Sequence, residues 1–176
     1  MRETERPPRP EEDPDADPES VARAILLRQL THGPRSRHQL EGRLRERNVP
    51  EELAQMLLDR FEDVGLVNDA EFARLWVRSR AESKSLARSA LRRELADKGI
   101  RGETAEAALE ELGADEEEAA ALRLVQRRVR AFDPDDPAAR DKELRRLVGM
   151  LARKGHPPGR AFQLAAQVLE ESSRHP

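Results

Sequence analysis

The chain is 176 residues long and 38% of it is charged, against roughly 25% in an ordinary globular domain. Leu, Ile, Val and Phe supply about 21% of it, barely above the level typical of disordered chains, with four Phe, one Trp and no Tyr. This argues against a large interlocked core or a base-stacking groove, and the absence of cysteine excludes disulfides and thiolate metal sites. No apolar run approaches the ~20 residues of a membrane helix, and the acidic N-terminus does not read as a signal peptide, so a cytoplasmic protein is expected.

The first twenty residues carry three arginines against eight acids, with Pro7, Pro8, Pro10, Pro14 and Pro18 among them. Such a stretch cannot bury enough apolar surface to offset its ordering entropy, and a disordered acidic tail over 1–19 is predicted. Helical periodicity then takes over. Ser20 is read as the cap of a first helix carrying Ile25, Leu26, Leu27 and Leu30 to a stop at Gly33-Pro34. The second begins near Ser36 and holds Leu40 and Leu44. A third starts at Pro50, a good first-turn residue, and carries Leu53, Leu57, Leu58 and Phe61 to Gly65. Asp69 is read as the cap of the fourth, with Phe72, Leu75, Trp76 and Val77. The fifth holds Leu91 and Leu95, and the sixth Ala105, Ala108, Leu109 and Leu112. The seventh carries Leu122, Val125, Val129 and Phe132, the eighth Leu144, Leu147, Val148 and Leu151, and the ninth Ala161, Leu164, Ala165 and Val168.

The nine helices fall into three groups. Leu40 and Leu44, Leu91 and Leu95, and Leu147 and Leu151 each precede a helix stop at the same distance. The stops read Arg47-Asn48-Val49, Lys98-Gly99-Ile100 and Lys154-Gly155-His156, where Asn or Gly supplies a left-handed residue. Equivalent leucines lie 51 and then 56 residues apart, and a period near 50 with three helices per unit marks a repeat protein. The expected fold is all-α: three tandem three-helix repeats, at 20–66, 67–114 and 115–172, forming an elongated, curved array. Each repeat has too few apolar residues to stand comfortably alone, so neighbours should share buried surface.

The net charge of −3 hides a partition. Between Glu71 and Arg101 there are nine bases and four acids; between Glu103 and Glu118 there are eight acids and no base. Scattered histidines, the absence of a phosphate loop, and an Asp133–Asp136 loop without the calcium-hand glycine leave no catalytic, cofactor or metal constellation. The informative residues are cations. Arg123, Arg127 and Arg130 fall at i, i+4 and i+7, a stripe opposite Val125, Val129 and Phe132. Arg74 and Arg78 are four apart, as are Lys84, Arg88 and Arg92, with Arg93 beside them. None of the first stripe has an acid four residues earlier, and like charges at this spacing repel, so an external anion would relieve them. Pairing with acidic helices of a neighbouring repeat would relieve them as well. These nine residues are the candidate binding set. Trp76 reads as core, and Arg80 and Lys98 as structural.

The stretch Gly65-Leu66-Val67-Asn68-Asp69-Ala70-Glu71-Phe72-Ala73, followed by Val77 and Arg80, resembles the central signature of the RecX family of recombinase regulators. Leu91, Glu94-Leu95 and Lys98-Gly99-Ile100 continue the match, which extends over about 20–171. The family usually has a glycine where the second helix of the middle repeat begins. This chain has Ser85-Leu86-Ala87 there, which predicts a stiffer start to that helix. The resemblance implies a non-enzymatic protein without cofactor, and a monomer is expected. Such a protein lies along the groove of the RecA recombinase filament, where direct contact to single- or double-stranded DNA is also expected. It mostly inhibits strand exchange, ATP hydrolysis and co-protease function. The competing reading is a helix-turn-helix-like DNA-binding module with no RecA partner.

Overall fold

A computed structural model describes residues 17–174, so residues 1–16 of the acidic segment lie outside the described residues. Among those described there are nine α-helices and no strand. They are α1 (Pro18–Thr31), α2 (Arg37–Glu46), α3 (Glu51–Asp63), α4 (Asp69–Lys84), α5 (Arg88–Asp97), α6 (Gly102–Glu110), α7 (Ala114–Arg128), α8 (Pro137–Arg153) and α9 (Pro158–Arg174). The chain divides into two compact units. One comprises α1–α3, the first turn of α4 and the turn Lys98–Ile100; the other holds the rest of α4, α5 through Asp97, and the chain from Arg101 onward.

In the first unit most of the predicted leucines bury: Leu26, Leu40, Leu44, Leu57 and Leu58 are fully enclosed, with Ile25 and Phe61 beside them, whereas Leu30 and Leu53 are half-buried and Leu27 is exposed. The caps differ from expectation at two places. α1 begins at Pro18 because proline is preset for the first helical position, and Asp17 rather than Ser20 caps it, accepting the Ser20 N–H at 3.0 Å. α4 is capped by Asn68, whose side chain accepts the Glu71 N–H at 2.9 Å. Asp69 turns elsewhere: its carboxylate accepts the Arg37 N–H at 2.8 Å, satisfying a donor at the start of α2. Replacing Asp69 with Ala should therefore cost about 1 kcal/mol, a typical cap loss. Urea denaturation would report it as a lowered midpoint at unchanged slope.

The stops behave as their sequence requires. Asn48, Gly99 and Gly155 have φ of 56°, 79° and 89°. Two of them dock on a neighbouring helix start. Within the first unit, the Lys98 carbonyl accepts the fully buried Ser36 hydroxyl at 2.7 Å, and a Cβ on Gly99 would collide with the His38 side chain. Ser36 also forms a capping box with Gln39.

In the second unit the same joint recurs. The Ala87 N–H donates to the Lys154 carbonyl at 2.9 Å, the Ser89 hydroxyl to the Gly155 carbonyl at 2.6 Å, and Gly155 sits against Ser89 and Ala90. His38 and Ser89 are 51 apart, Gly99 and Gly155 56 apart, the spacings of the leucines. The repeat is thus visible in its contacts as well as its helices. The two glycine stops, at Gly99 and Gly155, each seat on the first turn of the preceding middle helix, where a side chain would not fit.

Ser85 stands where the resemblance leads one to expect glycine. It is buried and left-handed, with φ of 51°, a conformation costing a non-glycine residue about 1–2 kcal/mol. Its backbone is held on both sides: its N–H donates to Ala81 and its carbonyl faces His156 Nε2 at 3.1 Å. Downstream, Leu147, Leu151, Leu169, Val125, Ala161 and Ala165 form a fully enclosed core from α7, α8 and α9. Trp76 is half-buried rather than core. Its Nε1–H donates to Glu94 at 2.9 Å, and the Arg80 guanidinium lies 4.3 Å from the ring centroid.

Candidate functional site

All nine candidate cations lie in the second unit: Arg74, Arg78 and Lys84 on α4, Arg88, Arg92 and Arg93 on α5, Arg123 and Arg127 on α7, and Arg130 after it. Two of the expected ladders are not helical ladders. α4 ends at Lys84 and α5 begins at Arg88, so Lys84 does not continue the Arg88–Arg92 row. α7 ends at Arg128, and Val129 is extended with φ −60° and ψ 135°, which removes Arg130 from the Arg123–Arg127 stripe.

A buried carboxylate on α8 accounts for the early end of α7. Glu143 accepts the Arg130 N–H at 2.9 Å and a two-pronged bond from Arg146, and Arg146 in turn donates to the Arg128 carbonyl. The backbone groups freed by breaking α7 are thereby satisfied, as buried polar groups must be. The Arg146 hydrogen bonds, aided by the Arg130 N–H, hold the Glu143 carboxyl below the usual range against the opposing effect of burial.

Three candidates are paired to acids distant in sequence. Arg74 reaches Glu111 at 3.9 Å and Arg88 reaches Glu117 at 3.5 Å, with a further bond from Arg88 to the Leu112 carbonyl. Arg92 grips Glu106 with bonds of 2.6 and 2.8 Å, which lower the Glu106 carboxyl from its ordinary value. The acidic block at 103–118 therefore compensates part of the basic block. Arg78, Lys84, Arg93, Arg123, Arg127 and Arg130 make no ion pair among the described residues.

Arg74, Arg78 and Arg123 are brought together at a half-open cleft of about 580 Å³ formed by α4, α6 and α7. A second grouping includes two cations absent from the candidate set. Lys154 at the end of α8 donates its Nζ to the carbonyl of Lys84, and burial, then the nearby charges of Arg128 and Lys84, push the Lys154 ammonium down from its ordinary value. Three helix C-termini thus bring Lys84, Arg128 and Lys154 close together. Each charge complements a helix dipole, and the ends converge only in three dimensions. Periodicity along one helix carries no signal for such a group. Lys154 was visible only as the basic residue of a helix stop. Among the described residues no helix is long and apolar enough to cross a membrane, and no group of three or more His, Asp or Glu could hold a metal ion.

Two family models match the chain: the first three-helix domain of RecX over residues 22–61, within α1–α3, and the second over 68–109, from the residue before α4 into α6. A protein of Streptomyces coelicolor named regulatory protein RecX is 50% identical over 159 residues, covering 90% of this chain and 83% of its own. The chain belongs to the RecX family. A Thermobifida fusca RecX is 46% identical, over 85% of this chain and 79% of its own, and a Mycolicibacterium vanbaalenii RecX 43%, over 87% and 85%. The fold agrees as well. The crystal structure of RecX from Lactobacillus salivarius superposes with a TM-score of 0.73 at 20% identity, covering 89% of this chain and 97% of that one. A regulatory role and an all-α repeat architecture follow from this membership. The Gly65–Ala73 signature that carried the resemblance lies at the α3–α4 turn, where Gly65 is left-handed with φ of 74° and Asn68 caps α4.

Proposed function

We propose that the protein binds RecA–DNA filaments as a monomer and mostly inhibits their recombinase, ATPase and co-protease activities in DNA repair, recombination and the SOS response. It does so as a cytoplasmic binding protein, without catalytic residues or a cofactor of its own. The observation that carries this reading is identity of about half to regulatory RecX proteins over 90% of the chain. Its three-helix repeats, 20–66, 67–114 and 115–172, supply the binding surfaces. The cations of the second unit left without acid partners supply attraction toward an anionic filament. Titrating the protein into RecA on single-stranded DNA should lower ATP hydrolysis and strand exchange at substoichiometric amounts. Unchanged hydrolysis and exchange, together with no co-sedimentation, would overturn the reading.

The alternative, a DNA-binding module with no RecA partner, is favoured by one observation, the Lys84–Arg128–Lys154 grouping. Cations gathered at three helix ends suit a phosphate backbone. If they contact single-stranded DNA, Lys84→Ala with Arg128→Ala should flatten the slope of log affinity against log salt by roughly 1–2, near the 0.7 expected per phosphate. Anisotropy of a labelled oligonucleotide over a salt series measures it, and an unchanged slope removes the group from any DNA contact.

A further inference from the structure

The α4–α6–α7 cleft differs in chemistry from the cation groups around it. Its floor is small and apolar: Val77, Ala81, Ala108 and Leu112 are buried, and Ala119 and Ala120 half-buried. Small side chains let another backbone approach closely, and a groove of this kind suits the apolar face of a helix. The rim carries both signs. Arg74 is already matched with Glu111 and Glu117 with Arg88. That leaves Arg78 and Arg123 facing Glu82, Asp115 and Glu116, none of which is ion-paired among the described residues.

A phosphate backbone entering this space would meet more unpaired carboxylates than unpaired guanidiniums. A polypeptide can present both charges beside a narrow apolar face, and like-charge juxtaposition would exclude the wrong partner. We propose that this cleft is the docking groove for an amphipathic helix of a protein partner, bearing basic side chains that pair with Glu82, Asp115 and Glu116. The inference rests on the filament reading above and places the cleft against the protein of the filament rather than its DNA.

The double variant Glu82→Lys with Glu116→Gln changes two exposed carboxylates. Lysine near the C-terminus of α4 agrees with the helix dipole, so folding should survive, as circular dichroism would verify. The concentration needed for half-inhibition of RecA ATPase should rise about tenfold, as for loss of one or two charge-assisted contacts. Affinity for a single-stranded oligonucleotide without RecA should stay the same or tighten. A cleft-filling Ala120→Trp variant should show the same separation with no charge altered. Inhibition that strengthens together with oligonucleotide binding would overturn the proposal in favour of nucleic acid in the cleft. Wild-type behaviour of both variants would overturn it outright. A wild-type protein with no effect on RecA would instead sink the filament reading on which it depends.

Discussion

Gly155→Ala is expected to lower the melting temperature by about 6–12 °C, corresponding to about 3 kcal/mol in a chain of this size. Two penalties combine. Gly155 has φ of 89°, which any L side chain resists. Its added Cβ would also lie 2.6 Å from the Ser89 hydroxyl and 2.8 Å from both Ala90 Cβ and the Ala90 backbone nitrogen. The hydroxyl can rotate away, but the backbone cannot move without opening the joint between the α8–α9 turn and the start of α5. Gly65 supplies the control. Its φ is 74°, yet nothing lies within 4 Å of the position a Cβ would take, so Gly65→Ala should cost only the backbone component, about 1–2 kcal/mol. Thermal melts of the two variants side by side separate conformational strain from the close approach. Equal losses would mean that the joint yields freely.

Glu143→Ala should destabilise by about 2–3 kcal/mol, because it strands several donors at once. Arg146 would lose its carboxylate beside the Arg128 carbonyl, and the Arg130 N–H would lose its acceptor. The figure lies below that of a fully buried ion pair, since Arg146 retains 30% of its side-chain exposure. Glu143→Gln should lose less, as an amide oxygen can still accept from Arg130. The pH dependence follows from the lowered carboxyl of Glu143. A carboxyl whose folded value lies below its unfolded value of about 4.3 contributes fully above that pH and loses its contribution as pH falls through the folded value. The stability gap between wild type and Glu143→Gln should therefore be widest near neutrality and close in acid. A gap independent of pH would show that the charge of Glu143 contributes nothing.

Legibility in the sequence followed the range of the forces involved. Helix positions, the buried Leu40–Leu44, Leu91–Leu95 and Leu147–Leu151 pairs, and the left-handed stops at Asn48, Gly99 and Gly155 were all readable. They depend on side chains within a few residues of one another. The caps at Asp17 and Asn68 were misassigned by one to three positions, because several adjacent polar residues compete for the same task. The cation ladders were legible only as spacing, and two of them are interrupted in the fold, at Lys84 and at Arg130. Spacing on one helix shows which arginines share a face and says nothing of the acids opposite. Glu106, Glu111 and Glu117 reach Arg92, Arg74 and Arg88 only after the chain folds back.

The sequence by itself determined the helical class, the tandem period, the family and the segregation of charge into blocks, all carried by local propensity and short-range pattern. Tertiary structure alone decided where α7 breaks, because the carboxylate that satisfies the broken end sits on α8. It also decided which arginines are neutralised and which remain unpaired. It gathered Lys84, Arg128 and Lys154 from three helix ends, and it formed a cleft of mixed charge from Arg74, Arg78 and Glu82 on α4, Glu111 after α6, and Asp115, Glu116, Glu117 and Arg123 on α7. Electrostatic partnership depends on distance through space, and a linear pattern encodes that distance only within a turn or two of helix.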